Sequence, residues 1–213
     1  MKQNMRKRTL LAMLLALCLA MQLCVPAAMA SNRLMRAGDA AIAQIEEEEG
    51  FRAEKYSSGG KWYIGYGTEC GAEDYPEGIT REEAELLLMS KVEAYEAKLN
   101  DFFDRYDVTP TQGQFDALIC FSYNFGTGWM SGTSDLVKIA RGEKDATRLE
   151  VAHAFGEWCH SGGQAQAGLA DRRLQEAAIY LDDVTRAAED EFAYLIINME
   201  SGASYETDFA VYE

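Results

Sequence analysis

The chain has 213 residues, 48% of them hydrophobic, and a formal charge of −15 at neutral pH. That is the size of one ordinary domain with room for terminal segments. A surface this acidic repels nucleic acids and anionic membranes, so no nucleic-acid partner is expected.

The first thirty residues, MKQNMRKRTLLAMLLALCLAMQLCVPAAMA, have a basic start (Lys2, Arg6, Lys7, Arg8), a Leu/Ala/Met middle and a small-residue end. Ala28-Met29-Ala30 fits the cleavage rule of a secretory signal peptide, so 1–30 is expected to be removed. An uncleaved anchor is the alternative, since the apolar stretch is only slightly short for a membrane span. Cleavage takes away four basic residues and no acid, moving the formal charge from −15 to −19. The expected product is a secreted, extracytoplasmic monomer with no stable membrane partner.

Arg33 to Glu49 predicts a helix with Leu34, Ile42 and Ile45 on one side. Glu54 to Gly67, rich in Gly, Ser and aromatics, predicts a short β-hairpin or meander. Thr80 and Glu83 have capping-box spacing and open a helix carrying Leu87, Val92 and Tyr95 toward Phe103. TPTQGQFDALICFSYNFG is the most apolar stretch after the leader and predicts the central buried helix. Ser134 to Ala140 predicts a short helix stopped by Gly142. Asp145 to Trp158 and Gly168 to Leu181 predict two more, joined by the glycine-rich CHSGGQAQAG. The fold class is α+β, mostly α, with one small sheet near the start. Residues 183–213, with eight acids against one base, read as an acidic linker and a C-terminal β-hairpin tail; a stub of a wall-binding module is the alternative.

Three cysteines follow the leader. Cys120 lies within an apolar helix and reads as a small core residue. Cys70 and Cys159 lie in loop-like sequence and are the candidate pair. A zinc site from Cys70, Cys159 and His160 lacks the usual paired ligand spacing, so no metal and no cofactor are expected.

The run Glu46 to Glu49 stands directly before Gly50 and the aromatic hairpin. At about 100° per residue from Ile42, Ile45 falls near 300° and Glu49 near 340°, on the apolar stripe. Glu47 and Glu48 fall toward water, and Glu46 is borderline. A carboxyl at the end of an apolar stripe loses hydration, which favours its neutral form and suits proton donation. The competing reading is an acid fraying at a helix end.

EGFRAEKY…KWYIGYG resembles the active-site segment of the phage-type lysozymes, glycoside hydrolase family 24. Glu49-Gly50, Tyr56 and Ile64-Gly65-Tyr66-Gly67 carry the match. TQGQFDALICFSYNFGTG is similar to that family's central helix, and GGQAQAGLADRRLQEAAIYL to its closing helix. The resemblance implies a two-lobed lysozyme-like domain over 31–182, acting on the glycan strands of peptidoglycan. It implies Glu49 as the catalytic acid, with Tyr123 and Asn124 lining the sugar groove; core packing for Tyr123 and a helix C-cap for Asn124 are the alternatives. Arg172 and Arg173 match the family's closing arginines, one of which would face Glu49. Against this stands simple pairing of these arginines with Glu176 at the surface. Tyr66 and Trp62 are candidate flat faces for sugar rings, with inward packing of these hairpin aromatics the alternative.

Two family positions are altered. Ser58 stands where the resemblance expects an Asp, and Tyr63 where it expects a Thr. A serine cannot take a proton at neutral pH. Three readings follow: Glu54, Glu69, Glu73 or Asp74 replaces the Asp; Glu49 works alone by a lytic-transglycosylase route; or the protein binds glycan without cutting it.

Overall fold

The four-glutamate run ends a helix, α1 (Asp39–Glu49), that begins six residues later than the sequence suggests. In the computed structural model, which describes residues 34–181, the segment before it is an extended strap. Its backbone is taken by side chains from elsewhere. Met35 N–H donates to Asn100 Oδ1 at 2.8 Å, Ala37 N–H to Glu96 Oε1 at 2.8 Å, and Gly38 N–H to Asp116 Oδ1 at 2.9 Å. Those bonds replace the helical ones that Leu34 to Gly38 would have made. A Cβ at Gly38 would sit 2.8 Å from Asp116 Oδ2, so only glycine lets the strap approach this closely.

The aromatic hairpin is a three-stranded antiparallel meander: β1 (Arg52–Ser58), β2 (Lys61–Gly65) and β3 (Thr68–Cys70). Gly59 and Gly60 turn the chain between β1 and β2, with φ of +58° and +78°. Two successive residues at positive φ match the twist of a tight hairpin, and glycine adopts them without penalty. The register pairs Tyr56 with Tyr63, and Tyr63 with Glu69. Between Arg52 and Tyr56 the pairing slips, which bulges β1.

The long helix α2 (Arg81–Tyr106) starts on the expected Thr80–Glu83 capping box. Its first half carries the sheet, with Gly65 against Ala84. Its second half enters the helical body, where Phe102 and Phe103 meet Trp129 and Phe115. One continuous core runs through both lobes, from Ile64 and Tyr66 to Tyr180. At its centre is α3 (Gln112–Phe125), buried along Phe115–Tyr123 and opened by a Thr111–Gln114 capping box. Two short helices, α4 (Asp135–Ala140) and α5 (Arg148–Gly156), and the closing α6 (Ala167–Tyr180) complete the body. The glycine-rich link before α6 is a small hairpin, β4 (His160–Ser161) and β5 (Gln164–Ala165), where a loop was expected.

The cysteine expectation is corrected. Cys70, Cys120 and Cys159 are all free thiols. Cys70 closes β3 beside the main core, whereas Cys159 is buried with Ala170 in a separate cluster, so the two sequence loops do not meet. Cys120 is the expected core residue, and its thiol donates to Ala41 O at 3.7 Å. The leader and the acidic tail lie outside the described residues.

Candidate active site

Glu49 is the last residue of α1, and its side chain is one-fifth exposed, at 20%. Gly50, at φ +64°, turns the chain away immediately after it. Arg172 on α6 donates from Nη1 to Glu49 Oε1 at 2.8 Å. The other oxygen, Oε2, faces Gly67 so closely that a Cβ there would stand 3.0 Å from it. Thus one oxygen is held and the second is presented at the link between β2 and β3. Gly67→Ala should therefore act twice. Its φ of +74° strains a side chain by about 1–3 kcal/mol, and the new methyl displaces Oε2. Thermal unfolding should shift downward, and any Glu49-dependent activity should fall at least about tenfold, since small misplacements are costly.

Arg172 leads into a buried ionic cluster. Its Nε lies 3.4 Å from Glu176 Oε1, and Arg173 Nη2 donates to the same oxygen at 2.9 Å. Arg173 also donates to Asn124 Oδ1 at 3.0 Å and lies over the Phe121 ring. Arg172 faces Glu49, and both arginines pair with Glu176. The pairing is not at the surface, because Arg172, Arg173 and Glu176 are all buried. Burial pushes the Glu176 carboxyl up to about 7 against the pull of Arg173 and Arg172. For Arg172, burial opposes the charge, but Glu49 and Glu176 outweigh it and raise its pKa. Glu48, expected in water, is half-buried; Gln44 donates to it, and its charge reaches both arginines.

Around Glu49 stand groups that the sequence reading did not select. Lys91 Nζ lies 3.8 Å from the Tyr123 ring centroid and donates to Gly67 O at 3.5 Å. Burial lowers the Lys91 pKa, with Glu49 pulling the other way. Tyr95 meets Tyr123 edge to face, and Tyr56, Tyr95 and Tyr123 have raised hydroxyl pKa values, through burial first and the Glu49 charge as a further cause. The signal was legible: Leu88, Lys91, Val92, Tyr95 and Leu99 share one helical stripe, so Lys91 is a cation on an apolar face.

The other candidates divide. Tyr66 and Tyr123 do not present faces to a groove. Tyr66 is 1% exposed, its hydroxyl accepts from Arg81, and its carbonyl accepts from Tyr123 Oη at 2.7 Å. Both enter the core because each hydroxyl has a partner, Arg81 for Tyr66 and the Tyr66 carbonyl for Tyr123. Asn124 is exposed at the end of α3, with its amide nitrogen left over from the Arg173 contact. Ser58 is exposed at the tip of β1, opposite Lys61, and Tyr63 stacks on Tyr56 at 5.7 Å. Trp62, 40% exposed, is on the opposite face of the sheet from Tyr63.

The sequence model of the phage lysozyme family matches residues 46–176, which spans Glu49, the sheet and the ionic cluster. The chain belongs to the phage lysozyme family. Among its relatives in that family is the endolysin of Bacillus phage B103, 35% identical over 155 residues, covering 69% of this chain and 54% of that protein. The endolysin of Bacillus phage PZA is 36% identical over 150 residues, covering 68% and 55%. The chain spans about half the length of these curated relatives. An endolysin from Escherichia coli O157:H7 phage FAHEc1 superimposes with a TM-score of 0.59 at 32% identity, covering 72% of this chain and 98% of that one. The muramidase domain of SpmX from Asticaccaulis excentricus gives a TM-score of 0.55 at 28% identity, covering 68% and 97%. These likenesses agree with a lysozyme-like fold, mostly helical with a small antiparallel sheet.

Proposed function

We propose that this phage lysozyme family member is a secreted glycoside hydrolase of the muramidase type. Its substrate is the glycan strand of bacterial peptidoglycan, cut between N-acetylmuramic acid and N-acetylglucosamine. The observation that carries the reading is the divided carboxyl of Glu49: Oε1 is fixed by Arg172, and Oε2 is turned to the β2–β3 link. A carboxyl held at one oxygen can deliver a proton from the other to a leaving glycosidic oxygen. Asn124 adds a donor for a sugar acetamido carbonyl, and Lys91 adds positive charge beside Glu49. A leader removed after Ala30 would deliver the protein to the wall, where it needs no cofactor.

The test is to incubate the leaderless protein with purified peptidoglycan and weigh the soluble fragments. Saccharides with hydrated reducing ends are expected. Protein that pellets with the wall and releases nothing would mean a glycan binder on a lysozyme fold.

A further inference from the structure

Ser58 leaves the proposed hydrolysis without a group to activate water, and the sheet register points to where one stands. Residues paired directly across antiparallel strands share a face. Tyr56, Tyr63 and Glu69 therefore form one row across the sheet, and Ser58 and Lys61 continue the same face toward the hairpin tip. Tyr56 on that row is within electrostatic reach of Glu49. Lys61 Nζ holds Glu69 Oε2 at 2.7 Å, which draws the carboxylate toward the strand position that Ser58 vacates.

The spacing along β3 agrees. Gly67, in the turn that leads into β3, adjoins Glu49 Oε2, and Glu69 follows two residues later within the strand. Two residues of chain span at most about 7 Å between Cα atoms, which keeps the Glu69 backbone close to Glu49. Inverting glycosidases keep their carboxyls about 6.5–9.5 Å apart, which leaves room for a water. The other acids are poorly placed. Asp74 is used by its own turn, accepting from Gly71 N–H at 2.7 Å, and Glu73 lies beyond the sheet. Glu54 sits in the β1 bulge, outside the paired row.

The geometry points to Glu69 as the second catalytic carboxylate, the general base that serves in place of the missing Asp, positioned by Lys61. This deepens the muramidase reading and rests on it. In the step, Glu69 takes a proton from a water whose oxygen bonds to the anomeric carbon. The glycosidic carbon–oxygen bond breaks, its electron pair goes to the leaving oxygen, and that oxygen receives the Glu49 proton. Lys61 holds the Glu69 carboxylate in place through the ion pair at 2.7 Å.

The leaderless protein, Glu69→Gln, Glu69→Ala and Glu49→Gln should be compared on purified peptidoglycan. Both Glu69 side chain and Lys61 are more than half exposed, so losing their pair should leave the fold intact, as thermal melts will register. Glu69→Gln is expected to lower fragment release about 100-fold or more. Glu69→Ala should regain release in sodium azide and form a glycosyl azide end, because a small anion can attack where the base is gone. A merely structural role would not give that product. If Glu69→Gln releases hydrated fragments at the parent rate while Glu49→Gln does not, Glu69 is refuted and the muramidase reading stands. Anhydro ends from the parent protein would also refute Glu69, since no water is then activated. A parent protein that releases nothing would overturn both readings.

Discussion

Glu49→Gln is expected to reduce release of peptidoglycan fragments by about 100- to 10,000-fold, the usual contribution of a positioned general acid. The amide has nearly the shape of the acid, and its oxygen can still accept from Arg172. What it lacks is a proton to give the leaving oxygen. Stability should change little, by about 1–2 kcal/mol, because one charge-assisted bond becomes a neutral-acceptor bond at a partly exposed site. Turbidity loss of wall suspensions, read beside a thermal melt, separates the two effects. An unimpaired Glu49→Gln variant would remove Glu49 from the chemistry and return the acidic run to an ordinary helix end.

Glu176→Ala is expected to have the largest effect on stability. Glu176 is 1% exposed and is the carboxylate shared by Arg172 and Arg173. Removing it leaves two buried guanidiniums without their shared carboxylate, with Glu49 still on Arg172 and the Glu48 charge reaching both. Breaking a buried pair in this way costs about 3–5 kcal/mol. That is a large share of a domain stability of about 5–15 kcal/mol. Glu176→Gln keeps the volume and one acceptor, so it should fall between the parent and the alanine variant.

The same residue gives the protein a pH signature. Its folded pKa is raised from 4.5 to about 7, mainly through burial. Between those values the folded state holds a proton that the unfolded state has released. This contribution is fully present below the unfolded value and is lost as pH rises through the folded one, at up to about 1.4 kcal/mol per pH unit. Urea midpoints should therefore fall between pH 5 and pH 8, and Glu176→Gln should remove that part of the slope. Equal slopes in the parent and Glu176→Gln would show that the two arginines keep the carboxylate ionised throughout.

Local patterns in the sequence carried much of the fold. The Thr80–Glu83 spacing started α2 where expected, because the two residues satisfy orphan donors with no help from the rest of the chain. Gly59-Gly60 marked the hairpin for the same reason: its turn is a property of four consecutive residues. The start of α1 was not legible. Its strap is held by Glu96, Asn100 and Asp116, side chains about 60 to 80 positions away that no local window contains.

The sequence by itself determined the helical scaffold and the family and singled out Glu49 as the candidate acid, since periodicity and motif order are written along the chain. Tertiary structure decided what surrounds Glu49. It packed Tyr66 and Tyr123 into the core, set Lys91 beside the carboxyl, and buried the Arg172–Arg173–Glu176 cluster. It also aligned Glu69 with Tyr63 across two strands. The physical reason is that charge and burial depend on distance through space, and a residue on α2, β3 or α6 acquires its meaning only when packing brings it to the end of α1.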